Sequence, residues 1–207
     1  MKIIVPTCDK YLWVMPTFLH FYKKNWLDSP YQLECVTETI KADGIPTFCA
    51  GKLPWSDRMI KYLETYNEDT FLLIMDDCFI TNAINTNAVQ QVEKACTGDI
   101  GCIRLNHHGS YSHFLFDSGL TGFKEYPRDK PYAVSLIACI WQKEYFLEFL
   151  KKGETAWQAE TEGSKRVRTS KKRILRSDIP AISHFNGGLM KKGRVNKVVE
   201  QWVKENW

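Results

Sequence analysis

Thr70-Phe71-Leu72-Leu73-Ile74-Met75-Asp76-Asp77-Cys78-Phe79-Ile80-Thr81 is the stretch on which the fold turns. An apolar run, sheet-compatible except for its final Met75, stops at two adjacent carboxylates. A strand with one wet face would alternate polar and apolar side chains, so the unbroken run predicts a strand buried on both faces. Open α/β sheets bind ligands beyond the carboxyl ends of their strands, where Asp76 and Asp77 stand. Two acids side by side in apolar surroundings repel each other. A divalent cation carrying a phosphate would relieve that repulsion. Equally, the pair could cap a loop or helix amide in an ordinary turn.

Working outward, Lys2 to Val5 predicts a first strand, and Tyr11 to Trp26 a helix that starts near Pro16, where proline is tolerated. Leu33 to Val36 is a second strand, and residues 44–48 lead to a third or to a loop. Helices are expected over Ser56 to Tyr66, with Ser56 or Asp57 at the cap, and over Asn85 to Ala95. Ile100 to Leu105 and Tyr132 to Ile140 read as strands, residues 106–132 as loops with short antiparallel strands. Lys143 to Leu150, Glu154 to Glu162 and Val195 to Val203 read as helices. Strands and helices alternate through the first half. This predicts an α/β fold with a mostly parallel central sheet flanked by helices and a loop-rich C-terminal part.

A chain of 207 residues suits one domain spanning 1–207, and apolar residues at 44% can fill a substantial core. No apolar run approaches the roughly 20 residues of a membrane span. The start, Met1 to Pro6, is too short in its apolar part for a secretory signal. Seven scattered cysteines without a Cys-x-x-Cys or zinc spacing read as buried free thiols, which implies a cytoplasmic setting. The net charge is +4, but Lys165, Arg166, Arg168, Lys171, Lys172, Arg173 and Arg176 crowd one stretch.

Neither the dinucleotide glycine fingerprint nor the P-loop is present, so those nucleotide readings lack their motif. Arg58, in the first turn of a helix, could reach a phosphate or a base, or be a solvated arginine. Glu160, close to Trp157, is either a general base of raised pKa or a helix-surface acid. The basic run 164–176 is a solvated loop, a lid over a diphosphate, or a contact for nucleic-acid phosphates; it lacks the interleaved aromatics of single-strand binders. His107 and His108 fall in a predicted loop. His184 is the histidine best placed for a metal, with a structural role as the alternative.

In order along the chain stand Thr7-Cys8-Asp9-Lys10-Tyr11, Trp55-Ser56-Asp57-Arg58, and Leu72-Leu73-x-x-Asp76-Asp77-x-Phe79. After them come Ser135-Leu136 with Trp141-x-Lys143-Glu144-Tyr145, and Gly153-Glu154-x-x-Trp157-x-x-Glu160-x-x-Gly163-Ser164. This series resembles a small bacterial and phage family of GT-A-type glycosyltransferases, related to capsular and surface polysaccharide enzymes. The resemblance implies a GT-A (Rossmann-like) fold and transfer of a sugar from a nucleoside-diphosphate donor, UDP-linked, to a hydroxyl. It implies that Thr7, Cys8, Asp9, Arg58 and Asp76 bind the nucleotide sugar. A divalent metal, Mn²⁺ or Mg²⁺, would be held by Asp76, Asp77 and His184. Glu160 would be the base, and Ser135 and Trp141 would shape the sugar and acceptor site. Here the acidic motif is Asp-Asp-Cys where the family commonly has Asp-x-Asp, and His184 matches the family's C-terminal histidine only loosely.

The acceptor is then a saccharide, or a hydroxymethylated base in DNA with Lys165, Arg166 and Arg168 contacting phosphates. The alternative from another class is a non-catalytic nucleotide- or nucleic-acid-binding module on the same scaffold.

Overall fold

The structure, a computed structural model, describes residues 1–105, 112–185, 188–191 and 194–207. In chain order the elements are β1 (Lys2–Pro6), a 3-10 turn (Asp9–Val14), α1 (Met15–Asn25), β2 (Leu33–Thr37), β3 (Thr47–Cys49), α2 (Trp55–Glu64) and β4 (Thr70–Leu73). There follow α3 (Thr86–Ala95), β5 (Ile100–Arg104), β6 (Phe116–Asp117), β7 (Phe123–Glu125), β8 (Cys139–Gln142), α4 (Lys143–Phe149) and α5 (Ala156–Arg166). A 3-10 turn (Val167–Thr169), β9 (Arg173–Ser177), the hairpin β10 (Met190–Lys191) and β11 (Arg194–Val195), and α6 (Lys197–Asn206) complete the chain.

Among the described residues one nine-stranded sheet runs β3-β2-β1-β4-β8-β5-β9-β7-β6. Within it only β8, antiparallel to β4 and β5, and β7, antiparallel to β9 and β6, oppose the common direction. The expected mostly parallel α/β architecture is therefore present. Parallel crossovers keep one hand. The chain steps from β1 to β2 over α1, then returns from β3 past β1 to β4 over α2. Keeping the hand while reversing direction puts α1 and α2 on opposite faces. Phe18, Leu19, Phe21 and Tyr22 of α1 pack with Leu72 and Ile74 on one face; Trp55, Met59 and Leu63 of α2 pack with Phe71 and Leu73 on the other. The run at 71–74 is buried on both sides, as its lack of alternation requires.

Two regions differ from expectation. Residues 132–138 are not a strand; only Cys139–Gln142 joins the sheet. Tyr132 and Ala138 have positive φ, 56° and 48°, which interrupts an extended run. The amides of Val134 and Leu136 donate to Ser164 Oγ and Glu160 Oε1 of α5 rather than to a neighbouring strand. The basic run, in turn, is no loop: it passes through the end of α5, a 3-10 turn and β9. Strand β9 tolerates Arg173 because Glu125 pairs with it at 2.7 Å.

Strand β5 contains a register irregularity between Ile100 and Cys102, with Gly101 at its centre. The absent side chain lets the Tyr145 ring lie against the strand. A β-carbon there would overlap that ring, so Gly101→Ala should lower unfolding stability by about 1–3 kcal/mol, read from the urea midpoint.

Candidate active site

The direction of the chain reverses beside β1, so a crevice opens at the carboxyl ends of β1 and β4. The backbone bond from Cys78 N–H to Met75 O, 3.1 Å, closes a turn with Asp76 and Asp77 at its two central positions. Thr7, just past β1, donates its hydroxyl to Asp76 Oδ2 at 2.5 Å. Arg58, from the first turn of α2, donates to the Thr7 carbonyl at 2.6 Å and is only 6% exposed. It is not a solvated arginine, and its hydrogen bond fastens the exit of β1 instead of reaching outward. Cys8 is half-buried between these groups, and burial raises its thiol pKa.

Asp9 clamps two loops together. Its carboxylate accepts from the Thr39 and Ile40 amides at 3.0 and 3.1 Å and from the Thr39 hydroxyl at 2.5 Å. The Thr39 hydroxyl is the main reason its pKa lies below the ordinary carboxylate value. Asp9 thus shapes the wall of the crevice while its oxygens are occupied by the protein.

Burial raises the Asp76 pKa to about 7, with the neighbouring Asp77 charge adding to the effect. Asp77 is also raised, again by burial, against the bond it accepts from Met190 N–H at 3.1 Å. The Leu189 amide donates to the Asp77 carbonyl at 3.2 Å, and Gly188 packs so closely on the Asp77 carboxylate that a β-carbon would overlap it. The C-terminal segment therefore folds over the acidic turn, a contact that nothing in the local sequence announces.

No lysine or arginine pairs with either acid among the described residues. Two carboxylates with oxygen donors only, in need of positive charge, suit Mg²⁺ or Mn²⁺ completed by phosphate oxygens and water. His184 does not extend that set. Among the described residues no group of three His, Cys, Asp or Glu side chains is arranged to hold a metal ion. His184 is buried on a segment whose backbone bridges Ile80, and its Nδ1 lies 2.9 Å from the Phe185 carbonyl oxygen. His107 and His108 lie outside the described residues.

Glu160 approaches from the other wall. Helix α5 begins at Thr155, whose side chain and that of Gln158 form a reciprocal capping box. One turn on, Glu160 Oε1 accepts from the Leu136 amide at 2.8 Å. Burial raises its pKa, and the Leu136 amide and the Arg104 charge moderate the rise. Its charge also contributes to the rise of the Cys78 thiol pKa, next in sequence to the acidic turn. Ser135 adjoins this contact, half-buried, in the 132–138 segment.

Four expected residues lie elsewhere. Trp141 is fully buried in β8 among Tyr145, Phe146 and Phe149, because its strand position faces the core behind α4. It cannot shape a sugar site. Arg166 makes a two-pronged pair with Glu154 at 2.8 and 2.7 Å and donates to the Phe149 carbonyl, so its guanidinium is engaged within the fold. Lys165 pairs with Glu162 on the outside of α5, and Arg168 is exposed on the following 3-10 turn. Together they form no shared surface at the crevice.

A cleft of about 290 Å³ lined by Asp69, Thr70, Gly98, Gln142, Lys143 and Lys172 lies at the opposite, amino end of the central parallel strands. It is remote from the acids, and the Lys172 amine is bonded to Gln142 and Gly98.

No family model matches the chain, and no curated protein sequence matches it. Solved structures do. A CMP:2-keto-3-deoxy-manno-octonic acid synthetase complexed with CTP aligns over 99% of this chain and 97% of its own, at TM-score 0.62 and 11% identity. A UDP-glucose pyrophosphorylase complexed with UDP-glucose aligns over 98% and 96%, at TM-score 0.56 and 11% identity. S. aureus TarS in complex with UDP-GlcNAc aligns over 88% of this chain at TM-score 0.54 and 15% identity; the alignment spans 57% of the TarS chain. At such identities the likeness establishes a shared fold, GT-A-like and Rossmann-like.

The raised Asp76 pKa has a sign that can be tested. Below 3.8, its ordinary value, folded and unfolded chains both hold the proton; between there and about 7 only the folded chain does. Asp76 therefore contributes stability that is present at low pH and lost as pH rises to 7. In the presence of a chelator, the difference in melting temperature between wild type and Asp76→Asn should shift against the wild type from pH 4.5 to 7.5. A shift of about 2–4 °C is expected per kcal/mol for a chain of this size.

Proposed function

We propose that this chain is a glycosyltransferase that moves a sugar from a nucleoside-diphosphate sugar, UDP-linked, to a hydroxyl of a saccharide acceptor. The observation that carries this reading is the pair of cation-deficient carboxylates at the switch point of the sheet, Asp76 buried and Asp77 half-buried, with the half-buried Glu160 of raised pKa held on α5 by the Leu136 amide. The shared fold with proteins solved with CTP, UDP-glucose and UDP-GlcNAc supports a nucleotide in this crevice. The motif series from Thr7 to Ser164 supports glycosyl transfer in particular.

In this reading Thr7 and Cys8 line the donor side, with Arg58 and Asp9 holding the loops that form it. Asp76 and Asp77 hold a divalent cation, which when bound supplies positive charge to the leaving diphosphate. Glu160, its pKa raised by burial, accepts the proton of the acceptor hydroxyl. The new bond forms from that oxygen to the anomeric carbon, and the bond to the diphosphate breaks with its electron pair going to the phosphate oxygen. The dispersal of Lys165, Arg166 and Arg168 leaves a DNA acceptor without the continuous basic track it would need.

Nucleotidyl transfer is the second reading, favoured by the near-complete overlap with the synthetase and the pyrophosphorylase. The released product separates the two. Wild type with UDP-sugars, Mn²⁺ and mixed saccharides should release UDP; release of pyrophosphate from UTP and a sugar phosphate instead would overturn glycosyl transfer. Glu160→Gln should lower turnover by about 10²–10⁴-fold with UDP affinity retained. In calorimetry, Asp77→Ala should lose the part of UDP affinity that depends on Mn²⁺, and metal-dependent binding that persists would remove Asp77 from the site.

A further inference from the structure

One member of the basic run does reach the crevice end of the sheet. Arg104 closes β5 and Arg176 stands near the end of β9, and the two are register partners. Lys124 of β7 is the register partner of Arg176. Register partners share a face. Cys102 and Ile174, two residues earlier on the same strands, belong to the core beneath α2, α4 and α5. The three cations therefore form a row on that face across adjacent strands spaced about 4.8 Å apart. The row begins beside Glu160, whose ionisation the Arg104 charge favours.

Arg104 is firmly set. It donates to the carbonyls of Tyr132 and Ala133, and its guanidinium lies 4.1 Å from the Tyr126 ring centroid. The Arg176 side chain forms no hydrogen bond or ion pair among the described residues, and its Nε is buried without a partner, as is that of Arg104. Partial burial and the Arg104 charge both disfavour its cation, against the help of Asp178. Besides Glu160 and Asp178, Asp117 stands in the row, exposed on the edge strand opposite Lys124. Two adjacent guanidiniums lie on this half-buried face with no ion pair to the Arg176 side chain among the described residues, and the planar fork of arginine matches a phosphate or carboxylate.

We propose that Arg104, Arg176 and Lys124 bind an anionic group, phosphate or carboxylate, carried by the acceptor beside the hydroxyl that Glu160 deprotonates. This rests on the glycosyl-transfer reading for the word acceptor; the anion seat itself does not. Arg176 and Lys124 are its principal contacts, and Arg104 sets the row against Glu160.

The test is calorimetric titration of the wild type with glucose 6-phosphate, glucuronate and glucose, with UDP affinity measured on the same protein. A charged sugar should bind at least about tenfold more tightly than glucose, and whichever of the two is preferred identifies the group. Arg176→Gln should weaken that binding about tenfold. Lys124→Gln, nearer the sheet edge, should weaken it too and serves where Arg176→Gln melts early. Equal affinity for all three sugars, no measurable binding of any, or charged-sugar binding that neither substitution moves would each overturn the anion seat. UDP binding without a preference for charged sugars rejects the seat and leaves the donor site standing. Charged-sugar binding without UDP binding rejects the donor reading and leaves the seat.

Discussion

The hydrogen bond from the Thr7 hydroxyl to Asp76 joins the ends of two parallel strands across the point where the sheet changes direction. Around it the crevice is a problem in desolvation. Asp76 and Asp77 occupy the centre of a tight turn, the first buried and the second half-buried, and desolvation favours the neutral acid of each. An isolated buried carboxylate is costly unless hydrogen-bonded or matched by a cation. Thr7 and the amides of the turn supply part of the compensation on one side, and the Met190 amide does so on the other. Arg58 keeps Thr7 in place through its carbonyl, so the geometry of the acid depends on a helix that never touches it directly.

The second wall follows from a different economy of backbone bonds. Residues 132–138 leave the sheet, and their amides turn to α5, where Glu160 and Ser164 receive them. The bond to Leu136 has two effects on Glu160. It fixes one carboxylate oxygen against the 132–138 segment, and it tempers the rise in pKa that burial imposes. Positive φ at Tyr132 and Ala138 marks both ends of the segment, consistent with backbone held in sparsely populated regions at functional sites.

The sequence carried much of the first half of the fold. The unbroken apolar run at Phe71 to Ile74 could be satisfied only by a strand covered on both faces, and the acids after it could stand only at the strand's carboxyl end. Periodicity placed α1, α2 and α3, because each buries one stripe against the sheet. It failed at Tyr132 to Ala138, where an apolar stretch fills a core without pairing as a strand: burial selects apolar residues whatever the backbone does. It failed again at Arg173 to Ser177, where charged residues hid a strand whose arginine is neutralised by Glu125, distant in sequence.

The same division holds for the site. Asp76 and Asp77 could be singled out from the sequence because an acid at the end of an apolar run is a local anomaly, and Glu160 because of the nearby Trp157 and the motif series it belongs to. Trp141 is equally suggestive in the sequence, and only the packing of β8 against α4 shows it to be core. Arg166 and Arg176 belong to one basic run, yet Glu154 engages the first while strand register brings the second beside Arg104. His184 and Gly188 close over the acidic turn through backbone pairing that has no local signature. By itself the sequence determined the kind of fold and the identity of the acids, since hydrophobic patterning and isolated charges are properties of neighbouring residues. Which cations are paired within the fold, which aromatic is buried and which segment holds Glu160 were decided only by the tertiary structure, because each depends on partners that register and packing bring from far along the chain.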